Sequence, residues 1–251
     1  QCHEGSYVPH AAAGYHSYIE FGNRLLTFVL AIVALGAFIS AWRTLGARSK
    51  LWWLTLGIGL GIPMQGVVGG ITVLMQLNPW VVALHLLLSV ALVVLCVWAV
   101  CLGYDARPEP VGVPGRVLAI VTFASAMLAI WLGTVATGAG PHAGDADAVR
   151  NGLDILVVTR LHGLSAWLCL GLSLACVVWF SVKQYRRALV SAWTLLIVVL
   201  LQGVIGYTQY FLGLPLFVVV LHLFGMSLLA AAAAGVLFAT TSQRDGSTAP
   251  S

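Results

Sequence analysis

Two of the seven histidines in this chain, His162 and His222, lie inside long apolar segments. Each follows the polar end of its segment by about six residues, so in a helix both would lie about 9 Å below that end. Two imidazoles at equal depth on neighbouring helices can bind one haem iron from opposite faces. The spacing therefore predicts that His162 and His222 are the axial ligands of a haem iron.

Other interpretations of these histidines stay open. A single histidine inside a membrane helix often forms a hydrogen bond between helices, and this interpretation applies to His222 or His85 taken alone. Zinc or copper has less support, because no third or fourth ligand stands beside the pair.

The helices that carry these histidines are expected to cross a membrane. The chain has 251 residues, of which 60% are hydrophobic and only 8% charged, whereas soluble domains carry about 25% charged residues. The twelve Lys and Arg residues are scattered, which argues against nucleic-acid binding. Gaps between charges long enough for helices of about 20 residues predict an all-α integral membrane protein with seven spans: 17–43, 51–76, 79–103, 115–138, 156–182, 189–212 and 216–240.

An internal repeat relates the two halves of the chain. Residues 65–86 and 202–223 share ten identities in 22 positions without a gap, including a Gln-Gly-Val-x-Gly motif and a histidine twenty residues after its Gln. The repeat predicts two four-helix bundles in parallel orientation, the first lacking its first helix in this sequence. We therefore expect an N-terminal bundle (1–103), a cytoplasmic linker (104–114), a C-terminal bundle (115–240) and a cytoplasmic tail (241–251).

The repeat aligns His85 with His222 and Asn23 with His162, so the first half offers one haem ligand instead of two. Glu20 and Arg24 share a helical face with Asn23. A Glu20–Arg24 ion pair within the helix is an alternative to a catalytic role for Glu20. One site thus looks coordinatively closed, and the other is open with an acid nearby.

Lysine and arginine placement predicts the orientation. Most basic residues in short loops fall on one side, which marks it as cytoplasmic. The start of this sequence is then outside and its C-terminus inside, in a multi-pass protein of the plasma (inner) membrane.

Motifs spread over nearly the whole chain resemble those of the haem A synthase family, bacterial type. They are Ile19-Glu20-Phe21-Gly22-Asn23-Arg24-Leu25-Leu26-Thr27, the two Gln-Gly-Val-x-Gly motifs, Asn78-Pro79, Gly133-Thr134-x-x-Thr137-Gly138-x-Gly140-Pro141-His142-x-Gly144-Asp145, Arg160-Leu161-His162-Gly163 and Leu221-His222-Leu223. The Thr-Gly-x-Gly-Pro-His loop is the most specific of these.

The resemblance implies oxidation of a methyl group of haem O to a formyl group, which gives haem A for terminal oxidases. It places haem b between His162 and His222 and the substrate haem on His85, with Glu20 implicated in turnover. Many members have a histidine where this chain has Asn23, and this departure bears on how the substrate iron is bound. Arg24 and Arg160 are candidates for pairing with haem propionates, or for reaching the membrane surface.

The resemblance also raises three expectations about cofactors and partners. A cysteine pair in the first outer loop would include Cys2, a disulfide partner being outside this sequence. Handover from a haem O synthase, an electron donor that the sequence does not name, and contact with membrane lipid are expected. Copper binding is left open.

Two alternative functions compete with the haem A synthase interpretation. A b-type di-haem cytochrome for quinol-linked electron transfer would favour symmetric histidine pairs, and Asn23 argues against it. A small-molecule transporter built on a parallel repeat would favour polar residues at mid-membrane, where Gln65 and Gln202 are nearly alone.

Overall fold

The computed structural model describes residues 14–141 and 148–240, except for the side chains of residues 14–21, 23 and 24. These residues form seven helices and, within the described ranges, no strand: α1 (Gly14–Leu45), α2 (Lys50–Leu74), α3 (Pro79–Gly103), α4 (Gly112–Ala139), α5 (Ile155–Val182), α6 (Arg186–Phe211) and α7 (Leu216–Thr240). Each of the seven contains a segment long and apolar enough to cross a membrane. The predicted class, an all-α multi-pass membrane protein, is confirmed.

The predicted helix ends agree with the structure to within a few residues. The largest differences are at the starts of α1, α4 and α6, each of which begins three residues earlier than expected. Pro114 therefore lies in the first turn of α4. Backbone N–H groups there have no carbonyl partner within the helix, so a proline costs no hydrogen bond. A turn also separates the predicted spans 51–76 and 79–103, and Asn78 caps α3 by accepting a hydrogen bond from the Trp80 N–H at 3.0 Å.

The chain divides into two compact units, Gln1–Val67 and Val68–Ser251. In the first, Phe38 on α1 lies against Trp52 on α2, with ring centroids 5.4 Å apart. The second contains the end of α2 and all later helices, so α3 groups with the C-terminal helices because it packs against α4 and α7. The predicted division into an N-terminal bundle (1–103) and a C-terminal bundle (115–240) stays a prediction.

In the second unit, α4, α5, α6 and α7 form a closed ring, each helix packing against its two neighbours. Small side chains at the centre let the backbones approach closely, which is how helices associate where lipid removes the hydrophobic driving force. The fully buried alanines are Ala119, Ala126, Ala188, Ala192, Ala230, Ala233 and Ala234.

The α2–α3 and α6–α7 turns have the same backbone conformation at positions 137 residues apart. Each contains two successive residues with left-handed φ angles: Gln76 (51°) and Leu77 (57°), then Gly213 (72°) and Leu214 (62°). In each turn the second residue donates its N–H to a carbonyl five residues earlier, at 2.9 and 2.7 Å, the hydrogen bond of a Schellman motif. The repeat thus extends to the backbone here. Its extension to two four-helix bundles stays a prediction.

The connection before α4 fastens the ends of α6 and α7. Tyr185, the residue before α6, contributes no side-chain cap. Instead, the Glu109 carboxylate accepts a hydrogen bond from the Ala188 N–H in the first turn of α6 at 2.9 Å. The Glu109 N–H in turn donates to the Ala239 carbonyl near the end of α7 at 2.8 Å. A carboxylate at a helix N-terminus satisfies a free N–H and interacts favourably with the helix dipole.

Replacing Glu109 should therefore destabilise the C-terminal ring. We expect Glu109→Ala to lower the free energy of unfolding by about 1 kcal/mol, the usual effect of losing a helix cap. Glu109→Gln keeps an acceptor oxygen and should lose less. Thermal unfolding in detergent would measure both, and equal stability of the alanine variant and the unmodified protein would contradict the capping role.

Candidate functional site

His162 lies in the second turn of α5, whose start is fixed by Asp154. The Asp154 carboxylate accepts hydrogen bonds from the Leu156 and Val157 N–H groups at 2.8 and 3.2 Å. These bonds set where the helix begins and so the depth of His162. The His162 imidazole lies on the side of α5 that packs against α4.

A backbone carbonyl of α4 orients the His162 ring. Nδ1 of His162 lies 3.0 Å from the Ala129 carbonyl oxygen. A carbonyl only accepts hydrogen bonds, so Nδ1 carries the proton and Nε2 keeps its lone pair. This is the tautomer in which a histidine binds a metal through Nε2, with its other nitrogen held by a second group.

His222 lies in the second turn of α7, facing α6. Its Nδ1 atom is buried and, among the residues that the structure describes, has no hydrogen-bond partner. The ring centroids of His162 and His222 are 6.3 Å apart, with their planes at 87°. The structure thus brings together the two histidines that the sequence paired.

This separation fits axial ligation of one iron. An imidazole nitrogen binds a metal at about 2 Å, so two rings on opposite sides of one ion have centroids about 6 Å apart. Within the described residues no group of three or more His, Cys, Asp and Glu could hold a metal ion. Two imidazoles alone therefore suit a metal that brings its own equatorial ligands, as haem iron does.

Each ring rests against a glycine of the neighbouring helix. A Cβ atom at Gly133 would lie 3.1 Å from Cε1 of His162, and one at Gly206 would lie 3.3 Å from Cε1 of His222. Both distances are tighter than ordinary contacts, so the absence of a side chain makes room for the imidazoles. Both glycines lie within the sequence motifs that carry the family resemblance, but the sequence alone predicts no role for them.

His85 on α3 has the same neighbour as its counterpart in the repeat. A Cβ atom at Gly69 would lie 3.5 Å from Cε1 of His85. Gly69 and Gly206 correspond in the repeat, and each precedes its histidine by sixteen residues. This matched spacing is the sequence signal that would have revealed the glycine contacts. The hydrogen bond to Ala129 leaves no such signal, because any residue can supply a carbonyl.

The remaining predicted site residues are placed only in part. Glu20, Asn23 and Arg24 lie on α1, but their side chains are outside the described residues. Arg160 is exposed on α5, two residues before His162. Cys2 and the predicted tail 241–251 also lie outside the described residues.

The seven apolar helices and the facing histidines define a multi-pass membrane protein with a histidine pair suited to haem. Comparison with known proteins narrows this class. Residues 8–234 match the COX15-CtaA family, described as cytochrome oxidase assembly protein, and the chain belongs to that family.

Two curated relatives show how far the similarity extends. A protein named heme A synthase from Listeria monocytogenes serovar 1/2a is 26% identical over 224 residues, covering 81% of this chain and 72% of its own. Another with the same name, from Listeria innocua serovar 6a, is 25% identical over the same shares.

Substituting the contact glycines should disturb the histidines without disturbing the helices. We expect Gly133→Ala and Gly206→Ala to reduce the haem bound per protein, because the added methyl displaces the adjacent ring. Gly171→Ala is a matched control: Gly171 is exposed in the middle of α5, and nothing lies within 4 Å of its Cβ position. All three changes raise helix propensity equally. Haem content from absorbance spectra would decide, and equal content in all three variants would refute the contact role.

Proposed function

We propose that this protein is a haem A synthase, which oxidises a methyl group of haem O to a formyl group through successive hydroxylations. The observation that carries the proposal is the facing pair His162 and His222, in a chain that belongs to the cytochrome oxidase assembly protein family. The names of the Listeria relatives support the same activity.

The division of labour follows from coordination. His162 and His222 hold haem b, which supplies one-electron transfer when bound. If His162 and His222 both held the iron of haem b, they would leave it no free position for a substrate. A second haem, the substrate haem O, therefore needs another ligand, and His85 is the residue of the first repeat that corresponds to His222.

Glu20 and Asn23 make the substrate half differ from the haem b half. Asn23 stands where His162 stands in the second repeat, so the sequence offers the substrate iron one histidine ligand, His85. Hydroxylation of a methyl group requires proton transfer, and we assign this transfer to Glu20, three residues before Asn23 on α1. Arg24 and Arg160, near the outer helix ends, would hold the haem propionates.

The apolar ring of α4 to α7 contributes by keeping water from the haem b pocket. A dry site fixes the electrostatics that set the potential of a bound haem. The Ala129 carbonyl would also help to set the potential of the haem, because it holds His162 in one tautomer and orientation. Among the residues that the structure describes, no group of three or more His, Cys, Asp and Glu could compete for a metal ion.

We also propose a membrane orientation and partners for this protein. The distribution of Lys and Arg supports a cytoplasmic C-terminus in the plasma membrane, with the histidine pair near the outer surface. Haem O would come from a haem O synthase, and a separate donor would supply electrons. A copper site is not part of the proposal.

The pigments of the purified protein test the proposal directly. From cells that make haem O, extraction should yield haem B together with haem O or haem A, identified by chromatography and mass. His222→Met should lose or shift the haem b absorbance, because methionine is a weaker axial ligand that lowers electron donation. Haem B alone would favour the electron-transfer cytochrome instead, and absence of any haem would contradict the whole assignment.

Glu20 can be separated from haem b by substitution. We expect Glu20→Ala to keep the haem b spectrum and to reduce haem A formation by about 10²-fold or more, as expected on loss of a group that transfers protons. Thr159→Ala changes the corresponding position of the second repeat and should leave haem A formation intact. Unchanged haem A in the Glu20 variant would remove its catalytic role.

A further inference from the structure

The two histidines of the pair differ in what holds their second nitrogen. Nδ1 of His162 has the Ala129 carbonyl as its acceptor. Nδ1 of His222 is buried without a partner among the described residues. A histidine that binds metal through Nε2 carries a proton on Nδ1, and this N–H is normally accepted by a carboxylate, a carbonyl or water. His222 therefore needs an acceptor in the haem-bound protein.

Gln209 on α6 carries the complementary unsatisfied atom. Its Oε1 oxygen is buried and likewise lacks a hydrogen-bond partner in the described part of the chain. An amide oxygen is an acceptor, and a protonated Nδ1 is a donor. Buried polar atoms are rarely left unpaired, so two orphans of opposite kind on adjoining helices point to one hydrogen bond.

The helix geometry brings the two side chains toward each other. Gly206, which contacts the His222 ring, precedes Gln209 by three residues and so lies on the same side of α6. Helical side chains lean toward the N-terminus of their helix. Gln209 therefore leans back toward Gly206, and His222 leans along α7 toward the α6–α7 turn. These two directions converge because α6 and α7 are antiparallel neighbours.

The first repeat has a different residue at the position of Gln209. Thr72 occupies the position of Gln209 in the first repeat, and its hydroxyl donates to the Gly69 carbonyl on its own helix at 2.5 Å. The amide is therefore present in the half with two histidines and replaced in the half with one.

We propose that Gln209 is a positioning residue for haem b, whose side-chain oxygen accepts the Nδ1–H of His222 when Nε2 of His222 binds iron. The inference rests on the proposed haem b site. The Gln209 side chain is flexible, so its amide reaches the ring by rotation without movement of α6. The bond fixes the ring orientation and makes the imidazole a stronger electron donor, which stabilises oxidised iron.

Two substitutions and a control separate this role from simple packing. Gln209→Met keeps the length of the side chain and removes the amide acceptor, whereas Gln209→Glu keeps an acceptor oxygen at the same distance. Thr208→Val is the control, because the Thr208 hydroxyl bonds only the Val204 carbonyl of its own helix in the described structure. Each variant would be purified with its haem and compared with the unmodified protein.

The first readout is haem loss to excess apomyoglobin. Removing a partner of a metal-binding histidine typically weakens metal affinity about 10- to 100-fold, so Gln209→Met should release haem b about tenfold faster or more. Gln209→Glu should stay within about twofold of the unmodified protein, since it retains the acceptor. Thr208→Val should release haem at the unmodified rate.

The second readout is the midpoint potential of haem b, which a purely structural role would not shift in a defined direction. The potential should rise in Gln209→Met and should not rise in Gln209→Glu. The inference would be overturned if Gln209→Met released haem at the rate of the unmodified protein and kept its potential. It would also be overturned if Gln209→Glu lost haem and raised the potential as Gln209→Met does.

The outcomes also distinguish this inference from the proposed activity. A protein that binds haem b and responds to Gln209→Met but forms no haem A would keep the inference and overturn the proposed function. A protein without haem would overturn both.

Discussion

Two imidazole rings face each other 6.3 Å apart inside an apolar helical ring, and the surrounding structure makes this approach possible. Polar rings inside a membrane protein must be given both space and hydrogen-bond partners, since lipid provides neither. Space comes from Gly133 and Gly206, where any side chain would press on a ring. A partner for His162 comes from the Ala129 carbonyl. The alanines of α4, α6 and α7 bring the helices close enough for these contacts.

Under the proposed function, the same constraint accounts for a second site. A histidine pair that held a haem iron would suit electron transfer and would leave substrate chemistry to another residue. The repeat supplies His85 with the same glycine neighbour but pairs it, in sequence, with Asn23.

Tertiary contacts far from the histidines hold the ring together. Glu109 caps α6 from a connection 79 residues earlier in the chain and also bonds the end of α7. The Schellman turns before α3 and α7 end the preceding helices at equivalent positions. His85 and His222 therefore lie at the same distance along the chain from these turns. Helix ends, and not the apolar helix centres, therefore set the depth of the histidines.

The sequence by itself determined the class of protein, the seven spans, the turn positions and the pairing of His162 with His222. Charge depletion, helix length and matched spacing are local properties of the sequence. They suffice to identify the segments that can span a bilayer. Only the tertiary structure decided which atoms surround each ring. The Ala129 carbonyl is a backbone group that every residue possesses, and the orphaned atoms of His222 and Gln209 become evident only when helices distant in sequence pack together. Hydrogen-bond partners across a helix interface depend on helix rotation and separation, which apolar periodicity does not specify when all faces of a helix are apolar.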